Sequence, residues 1–119
     1  MQKLIEYKEP YISHGTVFRL PAKYPYENFV DFMVIYYATE YLLCASTGYC
    51  AGNVFVVIPN EGLAKNGVSA ISTEWFIENW NKWIYPDCKV EDVYIIPQGY
   101  ETESLDETPI NYNRDIIVD

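Results

Sequence analysis

A chain of 119 residues, half of them hydrophobic and 17% aromatic, has room for one core of modest size, which excludes a second independent core and an intrinsically disordered protein. Seventeen acids against eight bases give a formal net charge of -9, so the surface repels phosphate backbones and anionic membranes and attracts basic partners from a distance. Solubility accounts for such a charge equally well, so it narrows the partners without naming one.

The opening Met1–Tyr7 lacks the apolar centre of a signal peptide, and no uncharged apolar run approaches the length of a membrane span, so a cytoplasmic location is expected. Gly15–Leu20 reads as a strand stopped by Pro21, which can donate nothing to a ladder. Phe29–Tyr37 reads as a long strand, apolar on both faces apart from Asp31, which predicts a central position with cover on both sides. Ala38–Glu40 turns the chain into a strand at Tyr41–Ser46, and Thr47–Gly52 turns it again into Asn53–Ile58. Gly48 and Gly52 suit tight hairpin geometry, since neither the lysine nor the following helix of a phosphate-binding loop is present. From Asn60 to Ile71, Gly62, Asn66 and Gly67 mark a loop, with room for one helical turn around Glu61–Lys65.

The main helix starts at Ser72 or Thr73, whose side-chain oxygen can cap the first free N–H groups, with Glu74 complementing the dipole. At about 100° per residue, Thr73, Phe76, Ile77, Trp80, Trp83 and Ile84 share one apolar arc opposite Glu74, Glu78, Asn81 and Lys82. Glu78 and Lys82 stand four apart in the favourable order for an ion pair. Pro86 ends the helix after Tyr85, and Val93–Ile96 forms a last strand before Pro97. The predicted architecture is α+β, an antiparallel sheet of about five or six strands packed against one main helix in the C-terminal half. Residues 1–97 form the expected single domain. Residues 98–119 form an acidic extension packed at least in part on it, carrying Glu101, Glu103, Asp106, Glu107, Asp115 and Asp119 against Arg114, with Ile116–Val118 able to add a strand.

No catalytic constellation is legible. His14 is the only histidine, stands at a strand start, and has no nucleophile signature around it. A carboxylate pair of the hydrolase kind is defined by separation in space and stays open. Cys44, Cys50 and Cys88, an odd number without paired spacing, read as reduced thiols, Cys44 as a small core residue, and no metal or cofactor is expected. Trp75 falls outside the apolar arc, between Glu74 and Glu78, and reads either as a binding anchor or as a ring covered by a neighbouring loop or the C-terminal tail. The candidate partner-binding set is therefore Glu74, Trp75, Glu78, Glu101, Glu103, Asp106 and Glu107.

A resemblance gives these residues a context. Gly15 with Phe18–Arg19–Leu20–Pro21, Ser46–Thr47–Gly48–Tyr49 with Ala51–Gly52, and Ser72–Thr73–Glu74–Trp75 through Trp80, Trp83, Tyr85–Pro86 and Asp92–Val93 together span about residues 10–97. They resemble bacterial immunity proteins of polymorphic or contact-dependent toxin systems, of the immunity-protein-45 type. The resemblance implies a small α+β protein that is not an enzyme and binds the C-terminal domain of a cognate toxin; the charge argument suits a basic, nuclease-like one. A small enzyme of unknown reaction, or an accessory or structural subunit, is the alternative.

Overall fold

Residues 1–103 are described by the computed structural model. Their strands are β1 (Gln2–Lys3), β2 (Tyr11–Ile12), β3 (Val17–Pro21), β4 (Phe29–Tyr37), β5 (Glu40–Ala45), β6 (Val54–Val57), β7 (Ile71–Ser72) and β8 (Tyr94–Ile96). Six of them form an antiparallel sheet in the order β1-β8-β3-β4-β5-β6, and β2 pairs with β7 in a separate two-stranded ribbon. The main helix α1 (Thr73–Asn79) follows β7 directly, with Ser72 Oγ accepting from the Trp75 N–H. The predicted α+β class and the boundaries of β4 hold.

Period-two alternation builds the core face of the sheet. Phe18, Leu20, Val30, Phe32, Val34, Leu43 and Ile95 point towards α1 and are at most 1% exposed. Phe18 stacks on Phe76 with ring centroids 4.8 Å apart, and Phe76 meets Trp80 edge-on at 5.6 Å. Phe32 gathers Phe55, Tyr26 and Tyr85 into a second aromatic group. Rings of this size bury about 150–250 Å² each, so the two groups tie the helix and the flanking loops to the sheet.

Beyond Asn79 the α-helix does not continue. Residues Trp80–Ile84 form a π turn in which the Tyr85 N–H donates to the Trp80 carbonyl, five residues back, at 3.0 Å. The wider turn keeps Trp80 and Ile84 on the core side and swings Trp83 out: Trp80 is fully buried, Ile84 is 5% exposed and Trp83 is 41% exposed. This corrects the expected apolar arc, which placed Trp83 in the core by assuming 3.6 residues per turn throughout. Lys82 is displaced by the same turn, and the expected Glu78–Lys82 ion pair is not among those of the described residues.

Two further expectations change on the opposite face of the sheet. Cover on both sides of β4 was expected, yet only the helix side is closed: Met33 and Ile35 are half-buried and Phe29 is 64% exposed. Cys44 lies beside Met33 on that open face, half-buried, and not in the core, because Leu43 and Ala45 take the inward positions of β5. Val17 and Asp31 are the exceptions on that face: Val17, opposite Met33, is fully buried in mid-sheet, and Asp31 is 2% exposed because Arg19 and Tyr100 close over it.

Candidate functional site

Two segments converge beside the exposed flank of α1. The β2–β7 pairing brings residues 7–11 alongside the helix start, with the Thr73 N–H donating to the Pro10 carbonyl at 3.0 Å. The 3₁₀ turn Asn60–Gly62 approaches from the other side, and the Ala64 N–H closes its loop onto the Ala70 carbonyl at 2.9 Å. Between them lies a groove of about 700 Å³ lined by residues 7–11, 61, 63–66, 72–75, 77 and 78.

Glu9, Glu61, Glu74 and Glu78 supply four carboxylates to this groove, and Lys8 and Lys65 two ammonium groups. Among the described residues the one ion pair is Arg19–Asp31, so none of these groups is held in a salt bridge. Glu74 and Glu78 are exposed and four apart on the helix, a like-charge arrangement that stores repulsion. The aromatic content comes from Tyr7, Tyr11 and Trp75. Burial, and then the neighbouring Glu9, push the Tyr7 phenol up, so it stays a neutral donor, directed at the Tyr11 carbonyl at 3.4 Å. Asn66 Nδ2 donates to the Tyr11 hydroxyl at 2.6 Å and joins the loop to the ribbon.

Trp75 is half-buried, and both readings offered for it describe part of the ring. Its indole N–H donates to Glu61 Oε2 at 3.3 Å, and its benzo edge lies against Gly62, where a Cβ would come within 2.7 Å of the ring. The remaining ring surface faces the groove and Trp83, at a centroid distance of 6.4 Å. Thr73 contributes to the groove wall, and its hydroxyl oxygen is buried with no hydrogen-bond partner among the described residues. Buried polar atoms are rarely left so.

The structure thus brings Glu74, Trp75 and Glu78 together with Glu9, Glu61, Tyr7 and Tyr11, which the sequence did not single out. Glu101 and Glu103 are exposed but do not line the groove; they follow Tyr100, whose hydroxyl donates to Asp31 Oδ2 at 2.6 Å on the open face of the sheet. Asp106, Glu107 and the suggested strand Ile116–Val118 lie outside the described residues. His14 sits exposed in the turn before β3. The three cysteines are free, and burial pushes the Cys44 and Cys88 thiols up, away from the thiolate form a nucleophile needs. Among the described residues no cluster of three His, Cys, Asp or Glu is placed to hold a metal ion, and no helix is long and apolar enough to cross a membrane.

A family model described as immunity protein 45 matches residues 4–95, a span that includes both walls of the groove and the six-stranded sheet apart from β1 and the last residue of β8. No curated protein and no solved structure matches the chain.

Proposed function

The chain belongs to the immunity protein 45 family, and from that premise we propose that it neutralises a cognate bacterial toxin by binding it through the groove beside α1. Family membership carries the immunity role; the groove is the feature of the surface best suited to a protein contact. It combines a half-buried tryptophan, two tyrosines and uncompensated carboxylates, the mixture of aromatic anchor and polar rim from which tight interfaces are built. The formal charge of -9 supports a basic toxin domain, one that itself handles nucleic acid, with electrostatic steering speeding the encounter. Inhibition on this reading needs no chemistry from the immunity protein; bound toxin is blocked by occupancy.

The placing of the toxin in a polymorphic or contact-dependent system, and the meeting of the two proteins in the cytoplasm, belong to the same proposal. So does the organisation of the chain, a single domain over residues 1–97 carrying an acidic extension over 98–119. The test is growth of bacteria in which the product of the immediately upstream gene is induced, with and without this protein. Rescue together with a one-to-one purified complex supports the proposal, and a toxic upstream product that grows no better with the protein present overturns it. Within that complex, Trp75→Ala should weaken toxin binding by tenfold or more while the fold persists, because the ring is not fully buried and lines the groove.

A further inference from the structure

We propose that the groove receives an arginine side chain of the toxin, with its guanidinium against the open part of the Trp75 ring and between the carboxylates of Glu74 and Glu78. The assignment rests on the toxin-binding reading above and adds to it the chemistry of the anchor.

Three independent features select that group. The first is charge: four carboxylates and two ammonium groups line the groove, and among the described residues no ion pair satisfies any of them. Glu74 and Glu78, one helical turn apart, repel each other in the free protein, and a cation placed between them removes that repulsion. The second is the tryptophan. Its indole N–H is already committed to Glu61 Oε2 at 3.3 Å, which fixes the ring plane and leaves a π surface, the part of an indole that attracts cations.

The third is the wall itself. Thr73 is 5% exposed, and its hydroxyl oxygen lacks a partner among the described residues. A guanidinium carries five N–H donors and no acceptor, so it is matched by a site offering carboxylate and hydroxyl oxygens. Lysine would satisfy the charge. Arginine alone is planar, weakly hydrated and able to stack on a ring while donating in the ring plane to more than one oxygen.

The test uses small probes and the whole chain. Uniformly ¹⁵N-labelled protein is titrated with the N-acetyl, C-methylamide derivatives of arginine, lysine and norleucine, following the Trp75 indole N–H and the backbone amides of residues 73–78. The arginine probe should shift these signals saturably, the lysine probe more weakly and the norleucine probe not at all. The Glu74→Gln, Glu78→Gln double variant changes two exposed side chains and should keep its melting temperature, yet lose at least tenfold in affinity for the arginine probe and for the toxin. Absence of a saturable arginine shift, or an unchanged affinity in the double variant, overturns the arginine assignment, even where growth rescue by the wild-type protein persists. Failure of wild-type rescue is read separately, in cells, and bears on the immunity reading and not on the probe titration.

Discussion

Arg19 grips Asp31 with both ends of its guanidinium, Nε to Oδ1 at 2.7 Å and a terminal nitrogen to Oδ2 at 2.8 Å, across directly opposed positions of β3 and β4. Tyr100 closes the pair from outside, donating to Asp31 Oδ2 while its hydroxyl also meets Ser46 Oγ at 2.8 Å. The arrangement fixes the chain after Pro97 to the open face of the sheet, a place where the helix side offers no packing.

This triad predicts an acid-sensitive contribution to stability. Burial alone would push the Asp31 carboxyl up, but hydrogen bonds from Arg19 and Tyr100, with the Arg19 charge, outweigh it and hold the group below its ordinary value. A carboxyl lowered in the folded state stabilises fully above its unfolded pKa, near 3.8, and that contribution is lost as pH falls through the lower folded value. Replacement of Arg19 by Met reverses the balance by leaving a buried carboxylate without its partner. The variant should lose about 1–3 kcal/mol near neutral pH, less than for a wholly buried pair because Arg19 is itself part-exposed. The gap should shrink as acid protonates Asp31, in urea titrations run from pH 7 down to about pH 3. A difference that stays constant with pH would show that Arg19 acts through packing alone.

The π turn predicts unequal tryptophans. Trp80 is fully buried against Phe18 and Phe76, and its indole N–H donates to the Cys88 carbonyl at 2.9 Å. Trp80→Ala should cost about 3–5 kcal/mol, enough to unfold most of a population of marginal stability. Trp83→Ala, at a ring 41% exposed, should cost less than about 1.5 kcal/mol. Thermal unfolding of the two variants separates this register from a continuous α-helix, in which both substitutions would be severe.

The same turn marks the boundary of what could be read in advance. The helix start was legible because capping is local: Ser72 and the N–H it accepts are three residues apart. The boundaries of β4 were legible because nine consecutive residues keep strand character before a forced turn at Ala38 and Thr39, both at positive φ. A π turn has no comparable local signature, and its effect on Trp83 follows only from the hydrogen bond that skips a residue. The two-residue strands β1, β2 and β7 are shorter than any periodicity that could reveal them. For the site, Glu74, Trp75 and Glu78 were visible on one helix, whereas Glu9 and Glu61 reach it through tertiary pairing across tens of residues. Arg19 had a usable signal, since it and Asp31 are lone charges within two apolar strands, but their register was needed to join them.

Gly62 is the packing partner that sets the Trp75 ring, and adding one methyl group there tests the groove without touching its charges. A Cβ at this position would lie 2.7 and 2.8 Å from ring carbons and 2.9 Å from Ile58 Cγ2, closer than side-chain carbons approach each other. Gly62→Ala should therefore destabilise by about 1–3 kcal/mol through overpacking. It should also push the ring away from Glu61, so that toxin affinity falls further than that of a control variant of equal stability. Trp75 indole chemical shift and toxin affinity, measured on the same sample, check the two effects together. An unchanged indole signal would mean that the ring is positioned by Glu61 and Trp83 instead.

The acidic segment beyond Tyr100 tests steering separately from anchoring. Glu101 and Glu103 are exposed and lie outside the groove, and Asp106 and Glu107 follow them in the chain. Charges placed away from an anchor act at long range: they enrich the encounter complex but make few contacts once the partner is seated. Neutralising all four as Gln and Asn should slow association with the toxin several-fold to tenfold at low salt and flatten its dependence on ionic strength, while the dissociation rate changes little. Stopped-flow binding at low and physiological salt reads both rates. A faster dissociation with unchanged association would instead make these residues part of the docked interface, and the groove would then be only one portion of a larger contact that wraps from α1 towards Tyr100.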